Sequence, residues 1–174
     1  MNFKNNIPNI LTTFRFILIP FFVYFTVIEQ NLVCAAILFV AAGVTDIVDG
    51  FIARKFNMIT DFGKLYDPLV DKLFNITAVI CLFLIDILPD WIVYFILLKE
   101  GCMFIISTIL YTKKIVVHSY WYGKAAAIIF YAAIFVMLIT QDISAGLTFA
   151  LLCAVVASAV LSAAGYFVAF VLKR

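Results

Sequence analysis

The stretch Thr45–Leu73 reads TDIVDGFIARKFNMITDFGKLYDPLVDKL. Five of the ten acidic residues of the chain lie in it, namely Asp46, Asp49, Asp61, Asp67 and Asp71. The chain around it is 67% hydrophobic and 13% charged, and its mean hydropathy is +1.18. Soluble domains are only about one-half apolar, so this composition predicts an all-α integral membrane protein. Carboxylates are costly in such a setting, and their concentration indicates a functional site.

Apolar segments of about 20 residues, the length that a hydrocarbon core requires, flank the stretch and overlap it. We predict six transmembrane helices: Pro8–Ile28, Leu32–Ala53, Asp67–Ile87, Trp91–Tyr111, Trp121–Thr140 and Ala145–Leu172. The 174 residues have the length of one domain, so we expect residues 1–174 to form a single membrane domain.

Basic and acidic residues lie at opposite ends of the predicted spans. One set of span ends holds the Lys and Arg residues, Arg15 among them, whereas the opposite ends carry the acidic residues Glu29, Asp86, Asp90 and Asp142 and no Lys or Arg. The positive-inside rule therefore predicts that the N- and C-termini are both cytoplasmic. Residues 1–16 mix polar and apolar side chains, which indicates a short interfacial helix before the first span.

The spacing of the carboxylates indicates how they meet. Asp46 and Asp49 are separated as i,i+3, and Asp67 and Asp71 as i,i+4, so each pair lies on one helix face. If Leu32 marks the outer boundary, Asp46 lies about 9 Å inside the cytoplasmic one. A short loop joins the two helices, so the faces can converge. Oxygen ligands without a nearby His or Cys favour Mg²⁺ or Mn²⁺, although an ion path in a transporter would also use such carboxylates.

The residues after Asp49 favour phosphate binding. Gly50 and Ala53 are small, so a ligand can approach the helix backbone beside the carboxylates. Arg54 supplies a cation suited to phosphate oxygens, and Thr60 supplies a hydroxyl donor. Metal carboxylates, small residues and an arginine together predict a diphosphate site.

The complete pattern Asp46-x2-Asp49-Gly50-x2-Ala53-Arg54-x8-Gly63-x3-Asp67-x3-Asp71 resembles the signature of the CDP-alcohol phosphatidyltransferases. The resemblance implies a six-helix fold and transfer of a phosphatidyl group from CDP-diacylglycerol to a hydroxyl acceptor, with release of CMP. It implies that the four aspartates of the pattern hold divalent metal ions, two being expected, and that Asp71 is also the general base. It further implies that CDP-diacylglycerol binds Gly50, Ala53, Arg54 and Thr60, together with Asn9 and Thr12 of the N-terminal segment.

The acceptor is less clearly indicated. The opening IPNILTTFRFILIPFF is similar to the phosphatidylglycerophosphate synthases of this family, whose acceptor is glycerol 3-phosphate. Lys99, Lys113 and Lys124 are candidate ligands of an anionic acceptor, although Lys113 also fits an ordinary loop charge. Those synthases usually carry a Lys and a Thr where this chain has Ala126 and Ala127.

Alternatives therefore stay open. One is a cardiolipin synthase with phosphatidylglycerol as acceptor, and another is a non-catalytic membrane transport or binding protein. We expect a multi-pass protein of the cell membrane with its active site facing the cytoplasm. The expected partners are CDP-diacylglycerol, the acceptor, the lipid bilayer and a second copy in a homodimer, and no nucleic acid is expected.

Overall fold

A computed structural model describes residues 7–56, 63–112, 121–140 and 144–172. Some side chains within these ranges, including those of Ala53 and Arg54, are not described. The described residues form helices and short connections and contain no strand. The helices are α1 (Ile7–Val23), α2 (Leu32–Lys55), α3 (Gly63–Leu84), α4 (Asp90–Thr112), α5 (Trp121–Ile139) and α6 (Ala145–Leu172), and a π-helical turn, Tyr24–Ile28, extends α1.

The all-helical prediction is confirmed for these residues. Of the predicted segments, α2, α4, α5 and α6 agree to within two residues at each end. Helix α3 extends from Gly63 to Leu84 rather than from Asp67 to Ile87. It includes polar residues before the apolar segment, and residues 85–88 form turns before Pro89. Pro68 lies inside α3. Three described segments are long and apolar enough to cross a membrane, Asn9–Ile28, Leu32–Ile52 and Ala145–Gly165, as expected of an integral membrane protein, while six spans and cytoplasmic termini stay predictions.

The start of the chain differs from the expected separate interfacial helix. Helix α1 begins at Ile7 and continues without a break past Phe16 to Val23. No proline or glycine interrupts the sequence between Pro8 and Pro20, so nothing separates an interfacial helix from the first span in residues 7–16. Residues 1–6 lie outside the described part.

The chain divides into two compact units, Met1–Val93 and Tyr94–Arg174. In the first unit, α1 packs against both α2 and α3. Its centre is an aromatic cluster to which each helix contributes one ring: Phe22, Phe39 and Phe74, with ring centroids 5.5 to 6.2 Å apart. All three rings are buried. In the second unit, α5 packs against α6.

The aromatic cluster orients the polar residues of the first unit. Arg15 precedes Phe22 by seven residues, and Asp46 follows Phe39 by seven residues, a separation that places each pair on one helix face. On α3, Asp67 and Phe74 are related in the same way. Because the three rings meet, their helices also direct polar side chains towards a common region.

Candidate active site

Arg15 lies at the centre of this polar region. Its side chain is 2% exposed, and its guanidinium contacts three carboxylates. Nη2 is 2.8 Å from Oδ2 of Asp49 and 3.3 Å from Oδ1 of Asp46, and Nη1 donates to Oδ1 of Asp71. Nε donates to the backbone carbonyl of Ala42 at 3.3 Å. The sequence placed Arg15 only among the basic residues at one set of span ends, and these contacts were not predicted from it.

The fourth carboxylate of the pattern is bound from α1 as well. The Thr12 hydroxyl donates to Oδ1 of Asp67, and Thr12 is completely buried. Thr12 and Arg15 are three residues apart and lie on one face of α1. Helix α1 therefore donates hydrogen bonds to Asp49, Asp67 and Asp71 and forms an ion pair with Asp46.

The four aspartates, which we call the acidic cluster (Asp46, Asp49, Asp67 and Asp71), lie close together. Asp46 is adjacent to Asp71, and Asp67 is near enough to Asp49 for their charges to interact. Their exposure differs, since Asp49 is buried while the side chains of Asp46 and Asp71 are 39% and 27% exposed. The convergence predicted from the spacing is thus present between α2 and α3.

The acidic cluster fits a hard divalent cation by its chemistry. Its donors are all carboxylate oxygens, the ligands that Mg²⁺ and Mn²⁺ prefer, and they surround a positive charge. In the described part of the chain, no three acidic, His or Cys side chains are arranged so that they could hold a metal ion as they stand. The guanidinium of Arg15 lies where three of the carboxylates meet.

The predicted nucleotide-binding residues are only partly described. Gly50 is partly buried on α2, one residue beyond Asp49. Asn9 lies on the first turn of α1, where its carbonyl accepts a hydrogen bond from the Thr13 hydroxyl at 2.8 Å. Ala53 and Arg54 belong to α2, but their side chains lie outside the description, as does the whole of Thr60. Their contacts with CDP-diacylglycerol stay predictions.

The predicted acceptor residues belong to the second unit. Lys99 on α4 forms an ion pair with Glu100 at 2.6 Å, and its ammonium lies 5.9 Å from the centre of the Phe130 ring on α5. Lys124 is exposed on α5, and Lys113 lies outside the described residues. Their role in acceptor binding stays a prediction.

Two features of this region were not predicted from the sequence. The first feature is the set of contacts made by Arg15. The helical spacing of Thr12, Arg15 and Phe22 was a signal for it, because these three residues share one face of α1, which is buried. The other is Asn75, four residues after Asp71 on α3, whose buried Oδ1 has no hydrogen-bond partner among the described residues. Asn75 extends the polar face of Asp67 and Asp71 by one further turn.

Several curated bacterial proteins named CDP-diacylglycerol–glycerol-3-phosphate 3-phosphatidyltransferase are similar to this chain. The protein of Bacillus subtilis is 39% identical over 109 residues, 55% of this chain and 56% of the relative. Those of Rickettsia prowazekii and Escherichia coli K12 are 45% and 46% identical over 75 and 77 residues, 42% and 43% of this chain. The matched part spans 41% and 42% of these two relatives, so the three alignments cover about two fifths to just over half of each relative's length.

A family comparison covers far more of the sequence. The model of the CDP-alcohol phosphatidyltransferases matches residues 5–171, a range that includes the acidic cluster and all six helices except Leu172, the last residue of α6. The resemblance drawn from the aspartate pattern is therefore confirmed. Since the match extends over nearly the whole chain, this protein belongs to the CDP-alcohol phosphatidyltransferase family.

Proposed function

We propose that this protein transfers a phosphatidyl group from CDP-diacylglycerol to glycerol 3-phosphate and releases CMP, with Mg²⁺ or Mn²⁺ as cofactor. The observation that carries the proposal is the acidic cluster, because the four aspartates of the family pattern converge beside α1. The names of the similar bacterial proteins support this donor and this acceptor. The product would be phosphatidylglycerophosphate, so the reaction belongs to phospholipid biosynthesis.

The acidic cluster would hold the divalent ions, two being expected. Bound ions supply positive charge that offsets the diphosphate and the charge developing on the departing CMP. Gly50 and Ala53 leave room beside the cluster for the diphosphate, and Arg54 binds its oxygens. Thr60 and Asn9 complete the proposed contacts with the CDP moiety, and the buried Thr12 acts through Asp67, to which its hydroxyl donates.

Asp71 is the proposed general base. The acceptor hydroxyl attacks the phosphorus that bears the diacylglycerol, and its proton passes to the Asp71 carboxylate as the new P–O bond forms. The bond from this phosphorus to the oxygen of CMP breaks, and CMP leaves with the electron pair. Asp71 is partly exposed, so a substrate can reach it.

The proposed position in the membrane follows from the charges and the apolar helices. Six spans with cytoplasmic termini place the acidic cluster near the inner face of the cell membrane. The acyl chains of the donor then stay in lipid, while the cytidine and a soluble acceptor enter from the cytoplasm. A homodimer is part of the proposal only through the family resemblance.

A second acceptor is favoured by one specific observation. Ala126 and Ala127 stand where phosphatidylglycerophosphate synthases usually carry a cation and a hydroxyl, which removes one expected ligand of a phosphate group. Phosphatidylglycerol, whose attacking glycerol carries no terminal phosphate, needs that cation less. Cardiolipin synthesis is therefore the alternative function.

A CMP-release assay tests these proposals. Purified protein in mixed micelles receives CDP-diacylglycerol and Mg²⁺ or Mn²⁺, with glycerol 3-phosphate or phosphatidylglycerol in separate reactions and EDTA in a parallel series. We expect CMP release with glycerol 3-phosphate that stops in EDTA. Release with phosphatidylglycerol alone would replace the first acceptor by the second. Absence of CMP with either acceptor would contradict the enzymatic proposal and favour a non-catalytic binding or transport protein.

A further inference from the structure

The reaction described above gives no role to Arg15. Its guanidinium nevertheless contacts three of the four aspartates, and its side chain is 2% exposed. A buried charge is costly unless it is paired, so the position of Arg15 depends on its carboxylate partners. The aspartates in turn depend on a nearby positive charge, because neighbouring carboxylates repel one another.

The shape of arginine suits this position. Its planar fork directs Nη2 to Asp49 and Asp46 and Nη1 to Asp71, while Nε is held by the carbonyl of Ala42 on α2. One side chain from α1 thus connects α2 with α3. A lysine would carry the same charge as a single point without this fixed geometry.

The contacts with Arg15 leave other oxygen lone pairs of the same carboxylates available to coordinate a metal ion. The closest contact of Arg15 with Asp49 is to Oδ2, and that with Asp71 is to Oδ1. A carboxylate has two oxygens and accepts several interactions at once. Groups that contact a metal ligand and hold its orientation are a common feature of metal sites.

We propose that Arg15 is a positioning residue that holds Asp46, Asp49 and Asp71 together before a divalent ion binds. The inference rests on the proposed function, because it assumes that the acidic cluster holds such an ion. Arg15 offsets part of the negative charge of the cluster and keeps α2 and α3 from separating there. A bound divalent ion then supplies a second positive charge to the same carboxylates and takes over part of this stabilisation.

Thermal unfolding in detergent tests the proposal independently of turnover. The wild type, Arg15→Gln, Arg15→Lys and the double variant Arg15→Gln/Asp49→Asn are each measured in EDTA and in Mg²⁺. Lys55→Gln is the matched control, since it also removes one positive charge from the first unit but at an exposed position. Activity is not the readout, because a loss of turnover would not separate positioning from catalysis.

In EDTA, we expect Arg15→Gln to lower Tm by about 5–15 °C, the range for breaking a buried ion pair in a chain of this size. Mg²⁺ should recover at least half of this loss, so the rise in Tm caused by the metal is larger in Arg15→Gln than in the wild type. Arg15→Lys should lie between them. The double variant should regain part of the stability in EDTA, because one repelling carboxylate is gone. Lys55→Gln should match the wild type in both conditions.

An unchanged Tm of Arg15→Gln in EDTA would overturn the proposal. The same holds for a loss of equal size with and without Mg²⁺, since that would indicate a packing role alone. If Arg15→Gln does not fold, the double variant decides: recovery of folding supports the proposal, and failure to recover contradicts it.

The same experiment separates the proposal from the proposed function. If neither Mg²⁺ nor Mn²⁺ raises the Tm of the wild type or of any variant, the metal site assumed for the reaction is contradicted. The comparison of Arg15→Gln with the double variant in EDTA then still measures whether Arg15 offsets the carboxylates. If the metals raise Tm equally in the wild type and in Arg15→Gln, the metal site stands and the role of Arg15 in forming it is wrong.

Discussion

The two units of this chain use their helix interiors differently. In the first unit, the buried side chains include four polar or charged ones, Thr12, Arg15, Thr26 and Asp49. In the described part of the second unit, all buried side chains are apolar, such as Ala133, Leu138 and Leu152. Both units have helices rich in apolar residues, so composition alone does not separate them.

The difference between the two helix interiors reflects the different roles of their buried side chains. Helices in a membrane associate through close packing of apolar and small side chains, and the pair α5 and α6 is consistent with this. Buried charges add desolvation cost, and an apolar replacement of similar volume is often as stable or more stable. The polar interior of the first unit is therefore best explained by the chemistry of the acidic cluster.

The largest effect is expected from Asp71→Asn. Asparagine keeps the shape of the side chain but cannot accept the acceptor proton, and general base catalysis contributes roughly 10²- to 10⁴-fold. We therefore expect CMP release to fall by at least about 10²-fold, with the helical circular dichroism spectrum retained. Asp86→Asn is the matched control, because Asp86 follows the same helix but is exposed. Its positive φ of 58° is one that asparagine also adopts.

Wild-type turnover in Asp71→Asn would contradict the assignment of the general base. Equal losses in Asp71→Asn and Asp86→Asn would indicate a general sensitivity of the protein to lost acidic charge. The buried polar residues of the first unit could then not be assigned to catalysis from this experiment.

The next effect concerns stability and compares the interior of the first unit with the surface of the second. Phe74 contacts the rings of Phe22 and Phe39, and we expect Phe74→Ala to reduce the free energy of unfolding by about 3–5 kcal/mol. Phe149 on α6 is 63% exposed, so Phe149→Ala should change it by less than about 0.5 kcal/mol. Thermal unfolding in detergent measures both. A large loss in Phe149→Ala would instead indicate that this face is an interface, such as that of the proposed homodimer.

The pattern of aspartates made much of the site predictable. Helical spacing put Asp46 with Asp49 and Asp67 with Asp71, and the short connection between the helices brought the pairs together. Helix limits were also predictable, because apolar runs and polar connections alternate clearly in this sequence. These inferences need only local periodicity.

The role of α1 was not predictable in the same way. An arginine near a span end has the same local sequence whether it faces water or enters the bundle. Arg15 is separated from its partners by 34 residues for Asp49 and by 56 for Asp71, and the Thr12–Asp67 contact spans 55 residues. Such contacts depend on how three helices pack, for which the sequence gives only the shared face of Thr12, Arg15 and Phe22.

A smaller effect is expected from Thr12→Val, which keeps the shape and removes the hydroxyl that donates to Asp67. Loss of a group that orients a metal ligand typically reduces metal affinity by about 10- to 100-fold. We expect the Mn²⁺ concentration that gives half-maximal CMP release to rise by about tenfold or more, with little change in the KM for CDP-diacylglycerol. Thr12→Ser keeps the hydroxyl and should behave as the wild type. A change confined to the KM for CDP-diacylglycerol would instead favour the direct contact of Thr12 with the nucleotide.

The smallest effect is expected in the second unit, from Lys124→Ala. If Lys124 binds an anionic acceptor, its removal should raise the KM for glycerol 3-phosphate by up to about tenfold, equivalent to about 1.4 kcal/mol, while the KM for CDP-diacylglycerol changes less. Lys124→Arg keeps the charge and should retain most of the acceptor affinity. A larger change in the donor KM would move Lys124 to the nucleotide side. No change in either KM would leave the exposed lysine as a surface charge and confine the chemistry to the polar interior of the first unit.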